Sequence, residues 1–267
     1  MLQFGLHPSF AVYYVMVLLA ISVVTLLQGF HMRIAIISDI HGNQVALDAV
    51  LRDLAQQPVA DQLVIAGDLC LNGPCPRQVL EMVQGLNCPV LQGNVDVEVV
   101  SQAPEKGEKK RNTVAWTREQ IGQDGIDYLA SLPRSHRIVN PDGSDLLIVH
   151  ANPLNVEDAI FPNASDSTLE YLLGGLDSGI GTLAFGHLHI AYTRRWRNLL
   201  LVDVGSCGLP RDEDRRAAYG FLSWQDNGWK AEIRRVAYDV QAVVKQIKTG
   251  GMPNGVKRVK TLLEAKY

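Results

Sequence analysis

The sequence predicts an α/β (α+β) fold in which two mixed sheets pack together with helices on both outer faces. Three observations predict it. Apolar, β-branched runs recur along the chain and stop abruptly at short polar loops, as buried strands do. In the first half these runs alternate with helical periodicity, giving β-α-β-α-β. In the second half they follow one another, separated by turn signals.

The first strand is Arg33–Ile37, which gives way at once to Ser38-Asp39-Ile40-His41-Gly42-Asn43. Leu47, Val50, Leu51 and Leu54 then recur at helical spacing and form an amphipathic helix that ends before Pro58. Gln62–Ala66 is a second buried strand, closed by Gly67-Asp68. A turn-rich loop follows, Leu71–Pro76, whose last proline suits the first position of a new helix. That helix carries Val79, Val83 and Leu86. Pro89–Leu91 reads as a third short strand, ending in Gln92-Gly93-Asn94-Val95-Asp96.

Ser101–Asn112 is polar and basic and reads as a solvated connection. Thr113–Leu132 is helical in two pieces, broken near Gly122–Gly125. Asp145–Val149 is a strand ending in His150, and a helix follows around Ser167–Leu176. Thr182–Phe185 ends in Gly186-His187-Leu188-His189, and Leu199–Val204 ends in Gly205-Ser206. Ala217–Trp224 and Trp229–Val236 flank Asp226-Asn227-Gly228, a hairpin turn signal. Helices over Val240–Lys248 and Val256–Ala265 close the chain.

Composition limits the function. With 267 residues and a net charge of −3, the chain can bury a full core and carries no basic coat for nucleic acid. Its four cysteines, Cys70, Cys75, Cys88 and Cys207, lack paired zinc spacing and fit buried or surface thiols in a reducing compartment. Residues 1–31 contain no Asp, Glu, Lys or Arg, and Phe10–Leu27 is apolar to the lower limit for a membrane span. They form a separate hydrophobic extension, expected to be an over-extended start before Met32 or a membrane anchor. Residues 32–267 form the folded domain, expected in the cytoplasm; if residues 1–31 are an anchor, Arg33 on the carboxyl side of the apolar stretch favours that side.

Function is read from what stands after each strand: Asp39 and His41, Asp68, Asn94, His150, then His187 and His189. All are oxygen or imidazole ligands, and four of the chain's seven histidines fall at these positions. A single histidine after a strand is ordinarily a satisfied polar residue. Seven compatible ligands gathered on one rim point to metal.

The block order D-x-H-G, G-D, G-N, V-H, G-H-x-H resembles the calcineurin-like metallophosphoesterase superfamily over Met32–Val240, and within it the small bacterial-type phosphodiesterase branch. That resemblance implies a four-layer α-β-β-α sandwich and two divalent ions. It implies that Asp39, His41 and His189 hold one ion, that Asn94, His150 and His187 hold the other, and that Asp68 bridges them. Asp68, Asn94 and His187 are then the residues closest to catalysis. Two ions about 3.5–4 Å apart supply a hydroxide nucleophile at neutral pH and clamp the phosphoryl oxygens. Mixed nitrogen and oxygen ligands suit manganese, iron, zinc or nickel alike, and manganese is the expected ion.

Two departures from the family pattern matter. Many members carry a histidine after the G-N pair, where this chain has Val95, which has no proton to give a leaving group. The arginine-bearing block of protein phosphatases is missing from Gly67–Gly73. The Gly205–Arg211 loop is similar to a substrate-side loop of the branch, so Arg211 is expected to touch phosphate, and Asn43 to touch substrate. The expected activity is hydrolysis of small-molecule or nucleotide phosphodiesters. The alternatives are a phosphomonoesterase, a dinucleoside-polyphosphate hydrolase and a non-catalytic scaffold. The expected partner is a small phosphoester, not nucleic acid. A membrane partner requires residues 1–31 to be an anchor, and a homo-oligomer stays open.

Overall fold

The computed structural model describes residues 32–101, 108–141 and 143–266. The apolar stretch Phe10–Leu27 lies outside them, and among the described residues no helix is long and apolar enough to cross a membrane.

Among the described residues, nine strands form two sheets. In the first, β1 (Met32–Ile37) lies between β2 (Gln62–Ile65), to which it is parallel, and β8 (Ala217–Gln225), to which it is antiparallel, and β9 (Gly228–Val236) completes the edge. In the second, β4 (Asp145–Val149), β5 (Ile180–Phe185) and β7 (Leu199–Asp203) run parallel. Antiparallel edges are supplied by β3 (Ser135–Ile138) and β6 (Tyr192–Trp196). Helices α1 (Gln44–Leu54), α2 (Pro76–Gly85), α3 (Asn94–Ser101) and α4 (Glu108–Ser131) accompany the first sheet. Helix α5 (Asp166–Leu173) packs on the second, and α6 (Val240–Thr249) and α7 (Gly255–Glu264) form a terminal pair.

Period-2 alternation sorts the strand residues between layers. Ile36, Val64, Ile148, Ala184, Val202 and Leu222 meet between the sheets. Ile37 and Ile65 point the other way, onto Leu47, Val50 and Val79. On the far side Leu183, Phe185 and Leu201 pack against Leu169, Leu172 and Leu173 of α5. Burying each such side chain stabilises the fold by about 1.5–3 kcal/mol. Four layers follow from these faces.

The hairpin turns where the sequence predicts, with Asp226 and Asn227 at φ 51° and 58°. The helical break falls at Gly122, φ 69°, and Arg77 donates to the carbonyls of Gln120 and Ile121 beside it. Other expectations are corrected. Pro89–Leu91 is not a strand but a single bridge, Ile65 to Val90, because Pro89 has no N–H to continue the ladder and the chain turns into α3 at Asn94. Part of the expected polar connection is helical from Glu108. Strands β3 and β6 escaped the sequence, being short edges with His136, Arg137, Arg194 and Arg195 where apolar alternation is the signal.

Candidate metal centre

All the strand-end loops open on one rim. They are laced by backbone bonds: Asp39 N–H to Gly67 carbonyl at 3.1 Å, His41 to Asp68 at 2.9 Å, Gly186 to His150 at 2.9 Å and Gly208 to Asp39 at 2.9 Å. Close approach excludes side chains. A Cβ on Gly93 would stand 2.1 Å from Asp68 Oδ1, and one on Gly208 would stand 1.8 Å from the Ile40 carbonyl.

The loops bring the seven expected ligands together in two clusters. In the first, His41 Nε2 and His189 Nε2 stand 3.0 Å apart, with Asp39 Oδ1 3.1 Å from His189 and Asp68 Oδ2 3.6 Å from His41. In the second, Asn94 Oδ1 lies 3.1 Å from His150 Nε2 and 3.2 Å from His187 Nδ1. Asp68 Oδ1 is 3.4 Å from His150, so this carboxylate presents one oxygen to each cluster. The first cluster is fully buried, whereas Asn94 and His187 are half-buried and make the second the more open one.

Tautomers follow from the other ring nitrogens. His41 Nδ1 is 2.8 Å from the Leu71 carbonyl, His189 Nδ1 2.6 Å from Leu209, and His150 Nδ1 2.8 Å from Ala66. His187 uses Nε2 instead, 2.8 Å from the Glu157 carbonyl. Carbonyls only accept, so these nitrogens carry the protons and the inward nitrogens carry lone pairs. Lone pairs therefore face lone pairs, and buried Asp39 Oδ1 has no hydrogen-bond partner. Such a donor set, with backbone carbonyls orienting each imidazole, fits divalent cations.

Electrostatics agree. Burial raises Asp68, and the carboxylates of Asp39 and Asp96 raise it further. Burial lowers His41, and lowers His187 to about 4, so both imidazoles are neutral at neutral pH. Asp39, His41, Asp68, His187 and His189 all have φ between 48° and 69°. Left-handed backbone at five non-glycine ligands is strain concentrated at a site.

Asn43 is engaged at both ends of its amide. It accepts from Ala46 N–H at 3.1 Å, capping α1, and donates to the Gly208 carbonyl at 2.9 Å. Arg211 is half-buried, its N–H bonded to the His189 carbonyl at 3.0 Å. Val95 donates its N–H to Asp68 Oδ1 at 3.1 Å.

Asp96 was not singled out by the sequence reading. Fully buried, it accepts three N–H groups, from Asp68 at 2.8 Å, Leu69 at 3.0 Å and Gly93 at 2.9 Å. It thereby clamps the Asp68 turn to the start of α3. Its signal was present: an acid at the third helical position reaches back to the cap N–H. Ser206 was read only as part of a loop. Its hydroxyl donates to the Asp39 carbonyl and accepts from Leu209 N–H, both at 2.8 Å.

Residues 32–227 match the calcineurin-like phosphoesterase superfamily domain. An uncharacterized protein of Methanocaldococcus jannaschii is 31% identical over 82% of this chain and 93% of its own length. A symmetrical bis(5′-nucleosyl)-tetraphosphatase of Erwinia tasmaniensis is 29% identical, over 52% of this chain and 51% of its own. The crystal structure of a metallophosphoesterase from Sphaerobacter thermophilus superposes with a TM-score of 0.70 at 26% identity, covering 88% of this chain and 99% of that one. A hypothetical protein from Pyrococcus horikoshii shares the fold, with a TM-score of 0.77 at 22% identity over 88% of this chain and 100% of that one.

Proposed function

Because the chain belongs to the calcineurin-like phosphoesterase superfamily, we propose that it is a two-metal phosphodiesterase acting on small-molecule or nucleotide phosphodiesters. The observation that carries the proposal is the pair of inward-facing lone-pair clusters that share Asp68. Asp39, His41 and His189 would hold one divalent ion, and Asn94, His150 and His187 the other. Bound there, the ions supply a nucleophile at neutral pH and neutralise charge on the phosphoryl oxygens.

The chain's own residues prepare that chemistry. Leu71, Leu209, Ala66 and Glu157 fix four imidazole tautomers through their carbonyls. Val95 N–H and Asp96 fix Asp68 in the position that reaches both clusters. The Val95 side chain has no proton for a departing alkoxide, and His187 already donates through Nε2 to Glu157. Esters with good leaving groups are therefore favoured.

A second reading, hydrolysis of dinucleoside polyphosphates, is favoured by the names of curated relatives matching about half of the chain. A scaffold role is disfavoured by the presence of all seven ligands. The test is to strip metal, add manganese and compare rates on bis(p-nitrophenyl) phosphate and p-nitrophenyl phosphate. Faster diester cleavage is expected. Faster monoester cleavage would replace the proposal with a phosphatase.

A further inference from the structure

Both inward nitrogens of the second cluster face the same oxygen, Asn94 Oδ1, at 3.1 Å from His150 Nε2 and 3.2 Å from His187 Nδ1. A neutral imidazole carries one proton, so in each ring this oxygen competes for it with the carbonyl on the far nitrogen. Where Asn94 wins, the lone pair leaves the cluster and the inward nitrogen can bind no cation. For His150 the competing carbonyl belongs to Ala66, fully buried just past β2. For His187 it belongs to Glu157, an exposed residue of the loop over residues 152–158.

Two asparagines knit that loop. Asn152, only 4% exposed, accepts the N–H groups of Leu154 at 2.8 Å and Asn155 at 3.0 Å. It also donates to the Asp158 carbonyl at 2.7 Å and to Asn155 Oδ1 at 3.2 Å. Asn155 Oδ1 in turn accepts from Glu157 N–H at 2.9 Å and Asp158 N–H at 2.8 Å. Amide side chains bonded to backbone a few residues on impose turns. Here they grip the peptide on both sides of the Glu157 carbonyl, which stands 2.8 Å from His187 Nε2. Apolar packing does less, since a cleft of about 100 Å³ lies between the loop and Leu147 and Val149 of β4.

The geometry points to Asn152 as the positioning residue of the second cluster. Through Asn155 it holds the Glu157 carbonyl on His187 and selects the tautomer whose Nδ1 lone pair faces the cluster, so a surface loop governs occupancy there. This deepens the two-metal reading and rests on it. The first cluster is independent of the loop, because His41 and His189 lean on the buried residues Leu71 and Leu209.

Two measurements on the full chain test it. The first records proton–nitrogen correlation spectra of metal-free, histidine-labelled protein at neutral pH, where the two tautomers have distinct nitrogen shifts. Wild type is expected to show His187 protonated at Nε2 and His150 at Nδ1. Asn152→Ala is expected to bring up the Nδ1–H form of His187 and to leave His150 unchanged. An Nδ1–H His187 in wild type, an unmoved His187 in the variant, or an equal change in both rings would overturn the inference. If Asn152→Ala fails to fold, Asn155→Ala carries the same expectation. The second measurement titrates manganese calorimetrically into metal-stripped wild type and variant. The second equivalent is expected to bind about tenfold more weakly to the variant, and the first to hold its affinity. Weakening of both alike, or of neither, would overturn the role of Asn152. Uptake of fewer than two equivalents by wild type would defeat the two-metal reading, while the tautomer spectra still judge the loop.

Discussion

At the scale of single residues, the site is defined by where protons are absent. Four imidazoles spend their N–H on carbonyls and turn bare nitrogens towards carboxylate and amide oxygens. Asp68 is the residue on which this arrangement turns. Asp68→Asn replaces one of its two oxygens with an NH2 group facing a lone-pair cluster, so manganese-dependent turnover is expected to vanish while circular dichroism stays native. Near-normal activity in that variant would remove the bridging role. Asp96 is its support, and Asn cannot accept at both positions. Asp96→Asn leaves at least one buried N–H facing an amide NH2, at about 1–3 kcal/mol. Metal affinity is expected to fall about 10–100-fold, which metal titration of the variant would read. Val95→His is expected to speed hydrolysis of poor leaving groups more than that of p-nitrophenolate esters. An unchanged ratio would mean that the leaving group is handled by another residue.

At the scale of elements, strands aim the ligands and loops space them. The ligand-bearing ends were legible because each buried run stopped at an acid, amide or histidine, a pattern set by period and by composition together. The run at Pro89–Leu91 misled, since three apolar residues show a strand's composition without the N–H that Pro89 lacks. Helix α3 was hidden because its start coincides with ligand Asn94 and the acid that reaches back to its cap N–H, Asp96, looks like a motif residue. Edges β3 and β6 were hidden by their charge. What no sequence pattern announces is the close lacing of the loops. Gly208→Ala tests it, because the new Cβ would meet the Ile40 carbonyl at 1.8 Å and push the Gly205–Arg211 loop off Asp39. The expected outcome is loss of metal binding with secondary structure retained.

At the scale of the whole molecule, two sheets hold two clusters in one register, and folding is linked to protons through the buried imidazoles. His187 has a folded pKa of about 4, below the ordinary histidine value near 6.5. Between those values the unfolded chain binds a proton that the folded chain refuses. Stability of the metal-free protein therefore falls as pH drops through that window and is unaffected by this group above it. His41, lowered by burial as well, acts in the same direction. Melting curves from pH 7 to pH 4 should show a falling midpoint, and saturating manganese should raise the midpoint at pH 7, since ions bind the folded state. Asp68, raised by burial, contributes with the opposite sign over this range. The imidazole contribution is therefore read as the difference in pH slope between wild type and His187→Gln. An equal slope in the two would contradict a neutral, half-buried His187. The most direct measurement of the central claim is the rate of bis(p-nitrophenyl) phosphate hydrolysis by metal-stripped protein as manganese is added in stoichiometric steps. Two lone-pair clusters joined by Asp68 predict a rate that climbs to a break at two equivalents per chain. A break at one equivalent, or no manganese-dependent hydrolysis, would contradict a two-metal phosphoesterase.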